Sequence, residues 1–223
     1  NENSAAMGAK PGTILVDTST IAPAAAQEFA ERANELGLHF LDAPLTGGQI
    51  GAENGTLTIM VGGNEEVFGK VKPVFEPMSK KIVYVGGPGM GQILKMANQI
   101  AGMLNVVGVA EALLFCRNAG VDLDLAVETL SGGASGSWAM ENLGPRIVDR
   151  DFRPGFSAEL QQKDLRYALE TADKLKVPMP GTAVCNQLMR SVLAHGDGKL
   201  SFVAVSLVLE RLAGLDLPIK KGK

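Results

Sequence analysis

Polar and apolar positions follow two different patterns along the chain. Up to about residue 88, short apolar runs are separated by turn residues. Thr13–Asp17 (TILVD) is a β-branched run ending at a polar residue, which predicts a buried parallel strand. Pro23 stands where a first helical turn begins. Ala25, Phe29, Ala33 and Leu36 then share one stripe, predicting a helix over 24–36 that Gly37 closes. His39–Ala43, Thr56–Val61 and Ile82–Val85 read as further strands. Asn64 reads as the cap of a helix whose first turn holds Glu65 and Glu66, where carboxylates complement the helix dipole. Strands alternating with helices imply an α/β sheet with some parallel pairing.

From residue 89 onward the pattern is helical only. Gly91–Ala119 keeps helical spacing for about 29 residues and is apolar nearly all round. Such a helix is buried on most sides, or buried in an oligomer. Further helices are predicted at 123–130, 138–148, 158–175, 182–194 and 202–212, with breaks at Gly132-Gly133, Pro154-Gly155, Pro178/Pro180 and Gly196/Gly198. The tail after Leu215, with Lys220, Lys221 and Lys223, is expected to fray. Residues 1–88 therefore read as an α/β domain and 89–223 as an all-α domain, with the long helix as the linking element.

Composition narrows the function classes. The chain has 223 residues, 21 Lys+Arg and 24 Asp+Glu, for a net charge of −3, which argues against a nucleic-acid binder that works by charge. No uninterrupted apolar run reaches the roughly 18 residues of a membrane span. Met103–Phe115 comes nearest, with Asn105 and Glu111 inside it. Cys116 and Cys185 form no CxxC pattern and read as free thiols in a reducing compartment, the cytoplasm. Two histidines cannot build a multi-histidine metal site.

The glycine-rich run 86–91 (GGPGMG) follows a strand and opens a helix, where a dinucleotide fingerprint would sit. The spacing fails, because Leu94 stands where the third glycine belongs, and Pro88 lacks a backbone donor. The run reads as a domain-crossing loop. Three clusters remain as candidates for chemistry. Asp42–Gly48 (DAPLTGG) lies past a strand end, where paired glycines can expose N–H groups to an anion, although taken alone a plain Gly-Gly turn explains it better. Lys95, Asn98 and Gln99 share one face early in an apolar helix. A partly buried lysine suits proton transfer, because burial lowers an ammonium pKa toward neutral; a solvated first-turn lysine fits the spacing as well. Lys163 and Asp164, downstream of Phe156, read by composition as a solvated face with a local ion pair.

Taken together, VDTSTIAP (16–23), LDAPLTGG (41–48), GTLTIMVGG (55–63), GMGQILKMANQ (89–99) and GFSAELQQKDLRYAL (155–169) resemble, in order and spacing, the β-hydroxyacid dehydrogenase family. That family includes 3-hydroxyisobutyrate and 6-phosphogluconate dehydrogenases. The run 132–156 is most similar to its tartronate semialdehyde reductases. The resemblance implies a Rossmann-type domain, represented here by its C-terminal part, followed by an all-α domain that forms homodimers or homotetramers. It implies reduction of a small-molecule semialdehyde acid with NAD or NADP, no membrane, no nucleic acid and no metal. Lys95 falls on the catalytic general acid/base. Thr46, Gly47, Gly48, Asn98 and Gln99 fall on substrate-binding positions, with Thr46 replacing the family's serine. Thr20, Phe156 and Lys163 fall on cofactor-binding positions. The family's GxGxxG turn, and the residue that selects NAD or NADP, are expected ahead of Asn1. An imine reductase, a non-catalytic relative and a purely structural helical module that oligomerises remain alternatives.

Overall fold

The structure is a computed structural model that describes residues 5–215, 217 and 218. It divides into two compact units, one ending at Asn98 and the other beginning at Gln99.

The first unit is built on a mixed five-stranded sheet. β1 (Ile14–Asp17) runs parallel to β2 (His39–Asp42), with Asp17 opposite Asp42. β4 (Leu57–Gly62) runs antiparallel to β2 and to the two-residue β3 (Leu45–Thr46), and parallel to β5 (Ser79–Gly86). The register sets Asp42 opposite Gly62 and Thr46 opposite Thr58. α1 (Pro23–Glu35) carries proline in its first turn, as expected. Its buried face is Pro23, Ala26 and Ala33, whereas Phe29 and Leu36 of the predicted stripe are half exposed. Small alanines let the helix lie close to the sheet, and Phe29 covers only the edge of the Phe40 ring. α2 (Gly48–Glu53) lies where the sequence reading assigned no element. α3 (Glu65–Phe75) is capped by Asn64, whose Oδ1 accepts the N–H of Val67 at 3.0 Å. Leu41, Ile59, Val61, Val67 and Phe75 form this unit's core.

α4 (Met90–Ala119) matches the long helix that the sequence predicts. It is not buried on most sides within this chain, since Leu94, Leu104 and Phe115 are exposed. It also holds a window of 18 residues with mean hydropathy 1.7, so by length and composition it could cross a membrane. That corrects the expectation drawn from uninterrupted runs: isolated polar residues such as Asn105 and Glu111 barely lower the average.

The second unit is helical: α5 (Leu123–Ser131), α6 (Trp138–Val148), α7 (Ala158–Leu175), α8 (Pro180–Ala194) and α9 (Val205–Leu212). Asp122, Ser137 and Ser157 cap α5, α6 and α7 through side-chain oxygens. Phe202–Ala204, expected as α-helix, is a 3-10 turn leading into α9. The core joins Met103, Val106, Ala110 and Leu113 to Leu143, Leu165, Met189 and Val208. Cys116 and Cys185 are free, with Cys185 buried and Cys116 half-buried. Lys220, Lys221 and Lys223 lie outside the described residues.

Candidate active site

Asp42 ends β2 with its side chain fully buried. Its Oδ1 accepts the N–H of Gly89 at 2.8 Å, and its Oδ2 accepts the N–H of Gln92 at 2.9 Å. The first N–H groups of a helix have no partner within the helix and carry the positive end of its dipole, so a carboxylate there closes the turn. Burial nonetheless pushes the Asp42 carboxyl above its usual range, against the lowering effect of these N–H donors. The close fit depends on two glycines. A Cβ on Gly62 would stand 2.5 Å from Asp42 Oδ1, and one on Gly91 would stand 2.5 Å from the Met60 carbonyl oxygen. The run 86–91 is thus a loop fastened by Asp42 inside the first unit, not the domain crossing that the sequence suggested, since the two units divide at 98–99 within α4. Asp42 itself, placed by sequence in an anion-binding cluster, is a helix cap.

Lys95 follows five residues into α4 and is only 8% exposed, so it is not a solvated first-turn lysine. Asn98 lies on the same face, three residues on. Thr20 sits in the loop between β1 and α1, at the carboxyl end of β1, where ligands bind in open α/β sheets. Asp17 Oδ1 accepts the N–H of Ser19 and turns that loop. The buried carboxamide of Gln92 bonds to it on both sides of Thr20, accepting the N–H of Ile21 at 3.2 Å and donating to the Ser19 carbonyl at 2.8 Å. Thr46 is half-buried in β3. Gly47 and Gly48 follow with φ of 127° and 63°, values that L side chains rarely adopt, and Gly47 begins α2 as its N-cap.

In the second unit Gln99 is 8% exposed, and its Nε2 donates to Asp164 Oδ2 at 2.6 Å and more weakly to Gln161 Oε1 at 3.4 Å. Asp164 is 1% exposed, and Lys163 Nζ lies 3.2 Å from its Oδ1. The solvated face that composition suggested for 163–164 is therefore wrong on the aspartate side. Gln161, Asp164, Leu165, Ala168 and Ala172 form one buried stripe of α7, and reading that stripe by its period would have placed the two polar members inside. The Lys163 ammonium also lies 5.5 Å from the centre of the Tyr167 ring. Phe156 packs edge-on against Phe202, with ring centres 5.9 Å apart. Asp42 as a cap and Gln92 as a bracket escaped the sequence reading, because their partners lie 47 to 73 residues away.

These residues fit a nicotinamide dinucleotide in part. The N–H groups of Gly89 and Gln92 are engaged by a buried carboxylate, so the 86–91 turn does not suit a pyrophosphate. Taken unit by unit, the Thr20 hydroxyl of the first can hydrogen-bond, and the Phe156 ring and Lys163 ammonium of the second offer an apolar face and a positive charge.

Two family models match the chain: the NAD binding domain of 6-phosphogluconate dehydrogenase over residues 1–86, and the NAD-binding domain of NADP-dependent 3-hydroxyisobutyrate dehydrogenase over residues 89–209. The 2-hydroxy-3-oxopropionate reductase of Escherichia coli is 45% identical over 95% of this chain and 73% of its own length. A probable mitochondrial 3-hydroxyisobutyrate dehydrogenase-like protein of Arabidopsis thaliana is 38% identical over 95% of this chain and 63% of its own length. The chain thus spans about two thirds of the length of these curated relatives. The crystal structure of a 3-hydroxyisobutyrate dehydrogenase from Salmonella typhimurium superposes with a TM-score of 0.85 at 32% identity, covering 91% of this chain and 72% of that one.

Proposed function

Because the chain belongs to the 3-hydroxyisobutyrate dehydrogenase-like β-hydroxyacid dehydrogenases, whose cofactor is NAD or NADP, we propose that it reduces a short semialdehyde acid, tartronate semialdehyde to glycerate, with Lys95 as the general acid. The observation that carries this reading is the burial of Lys95 near the start of α4, between the polar side chains of Gln92 and Asn98 along the helix. A lysine held out of water there needs a task, and proton transfer is the one that the family resemblance supplies.

When bound, a reduced nicotinamide dinucleotide would supply the hydride that the carbonyl carbon accepts. Lys95 Nζ gives its proton to the carbonyl oxygen as negative charge builds there, and the neutral amine regains a proton from solvent. In the reverse direction the amine takes the hydroxyl proton. Asn98 holds the substrate beside Lys95. Thr46, Gly47 and Gly48 bind the substrate carboxylate, through a hydroxyl and backbone N–H groups. Gln99, whose amide bonds to Asp164 and Gln161, acts by orienting this stretch of α4. Thr20 in the first unit, with Phe156 and Lys163 in the second, are the proposed cofactor contacts. The exposed apolar side chains of α4 suit burial between copies in a homodimer or homotetramer, and the enzyme is proposed to work in the cytoplasm. Residues 1–88 serve as the dinucleotide-binding part and 89–223 as the helical dehydrogenase part.

The test follows NADH and NADPH oxidation by the intact protein across a panel of semialdehyde acids. Tartronate semialdehyde should give the highest kcat/KM. A clear preference for methylmalonate semialdehyde would assign the chain to 3-hydroxyisobutyrate oxidation instead.

A further inference from the structure

The proposed chemistry leaves one fully buried polar side chain of α4 without a task. Gln92 stands three residues before Lys95, on the same side of the helix. A carboxamide carries a donor and an acceptor side by side. Gln92 spends both on the backbone that flanks Thr20: its Oε1 takes the Ile21 N–H and its Nε2 gives to the Ser19 carbonyl. The loop between β1 and α1 has no ladder partner at these two groups, so the bracket satisfies them. The backbone of Gln92 is in turn held by Asp42 Oδ2. One line of hydrogen bonds therefore runs from the end of β2, through the first turn of α4, to the loop of Thr20.

We infer that Gln92 is a positioning residue of the reaction: it fixes the Thr20 loop at a set spacing from Lys95, and so couples the cofactor-side hydroxyl to the proton donor. The inference rests on the roles proposed above for Lys95 and Thr20. Methionine would fill much the same volume, but it would leave the Ser19 carbonyl and the Ile21 N–H unpaired. Glutamine offers both functions at this reach without charge at any pH.

The test uses Gln92→Met and Gln92→Glu in the intact protein. It reads NADH and NADPH dissociation constants by fluorescence and hydrogen exchange at the Ile21 amide. A protonated glutamic acid has the shape of glutamine, with an O–H for the Ser19 carbonyl and a C=O for the Ile21 N–H. Its ionised form has no donor and sets a charge against the Ser19 carbonyl. At neutral pH both variants should weaken dinucleotide binding on the order of 10-fold and speed Ile21 exchange. Lowering the pH to about 5 should restore Gln92→Glu and leave Gln92→Met unchanged, since burial raises a glutamate pKa. Asp42 and Asp17, the carboxylates bonded to this turn and this loop, are present in both variants along with Lys95, so their own titration cancels in the comparison. A purely structural role would lower the melting temperature of both variants without a pH-dependent recovery of affinity. Unchanged affinity and Ile21 exchange in Gln92→Met, or no recovery of Gln92→Glu at low pH, would overturn the inference. Should Lys95→Met turn over normally while Gln92→Glu still shows its pH-dependent affinity, the bracket stands and the assignment of Lys95 falls.

Discussion

The carboxylate of Asp42 accepts the backbone N–H of Gln92 at 2.9 Å, fastening the first turn of α4 to the end of β2. Burial raises this carboxyl above its ordinary value of 3.8. The native state then holds the proton more tightly than the unfolded chain does. Between pH 3.8 and the higher native value, the native state binds more protons, so the contribution of this group to stability grows as the pH falls through that window and is level below it. Urea melts of the native protein and of Asp42→Asn should therefore diverge in favour of the native protein as the pH is lowered from 7 toward 4. A constant difference across that range would remove Asp42 as the titrating group.

The steric part of the same junction is tested at its glycines. A Cβ on Gly62 or Gly91 meets Asp42 or backbone atoms at 2.5 Å to 2.9 Å, and backbone does not rotate away. Gly62→Ala and Gly91→Ala should each destabilise by about 3 kcal/mol. Gly69, exposed within α3 with open space around its Cβ position, is the control. Gly69→Ala should stabilise by roughly 0.5–1 kcal/mol. Thermal melts of the three variants check the order.

A second buried charge pair lies in the helical unit. Arg150 donates through Nη1 to both carboxylate oxygens of Glu210, at 2.8 Å and 3.1 Å, and through Nε and Nη2 to the carbonyls of Pro218 and Leu217. Both side chains are under 10% exposed. Arg150→Met strands the Glu210 charge and should cost about 3–5 kcal/mol by denaturant unfolding. The double variant Arg150→Met/Glu210→Leu should recover most of that loss, because it removes both charges. A double variant no better than the single one would show that the carbonyl contacts dominate.

The family resemblance sets Thr46 at a serine position, and we propose that its extra methyl narrows the carboxylate pocket. Thr46→Ser should lower KM for a methyl-branched semialdehyde about 4-fold relative to tartronate semialdehyde, the worth of one methyl group. Equal changes for both substrates would place the methyl outside the pocket.

Much of the fold was legible because local signals agree with the final contacts. Trp138–Val148 and Ala158–Leu175 match their predicted ranges, since the breaks at Gly132-Gly133 and Pro154-Gly155 precede them and, in the structure, Ser137 and Ser157 cap their starts. α2 was hidden because GGQIGAE holds poor helix formers and opens on positive-φ glycines. β5 begins three residues earlier than its apolar core, because Lys80 and Lys81 point to water in a strand that β4 nonetheless pairs. Candidate site residues emerged from residue type and family resemblance. Their buried partners did not, because Asp42, Gln92 and Asp164 each act on residues distant in sequence. A polar residue on a helix looks solvated until the packing of its face is known.

Buried Lys95 is the proposed proton donor on which the rest of the mechanism depends. The measurement that bears on it most directly is single-turnover NADH or NADPH oxidation by Lys95→Met in the intact protein, alongside dinucleotide affinity. The rate should fall about 10²- to 10⁴-fold, with dinucleotide affinity and melting temperature near those of the native protein. A Lys95→Met protein that reduces tartronate semialdehyde at the native rate would contradict it.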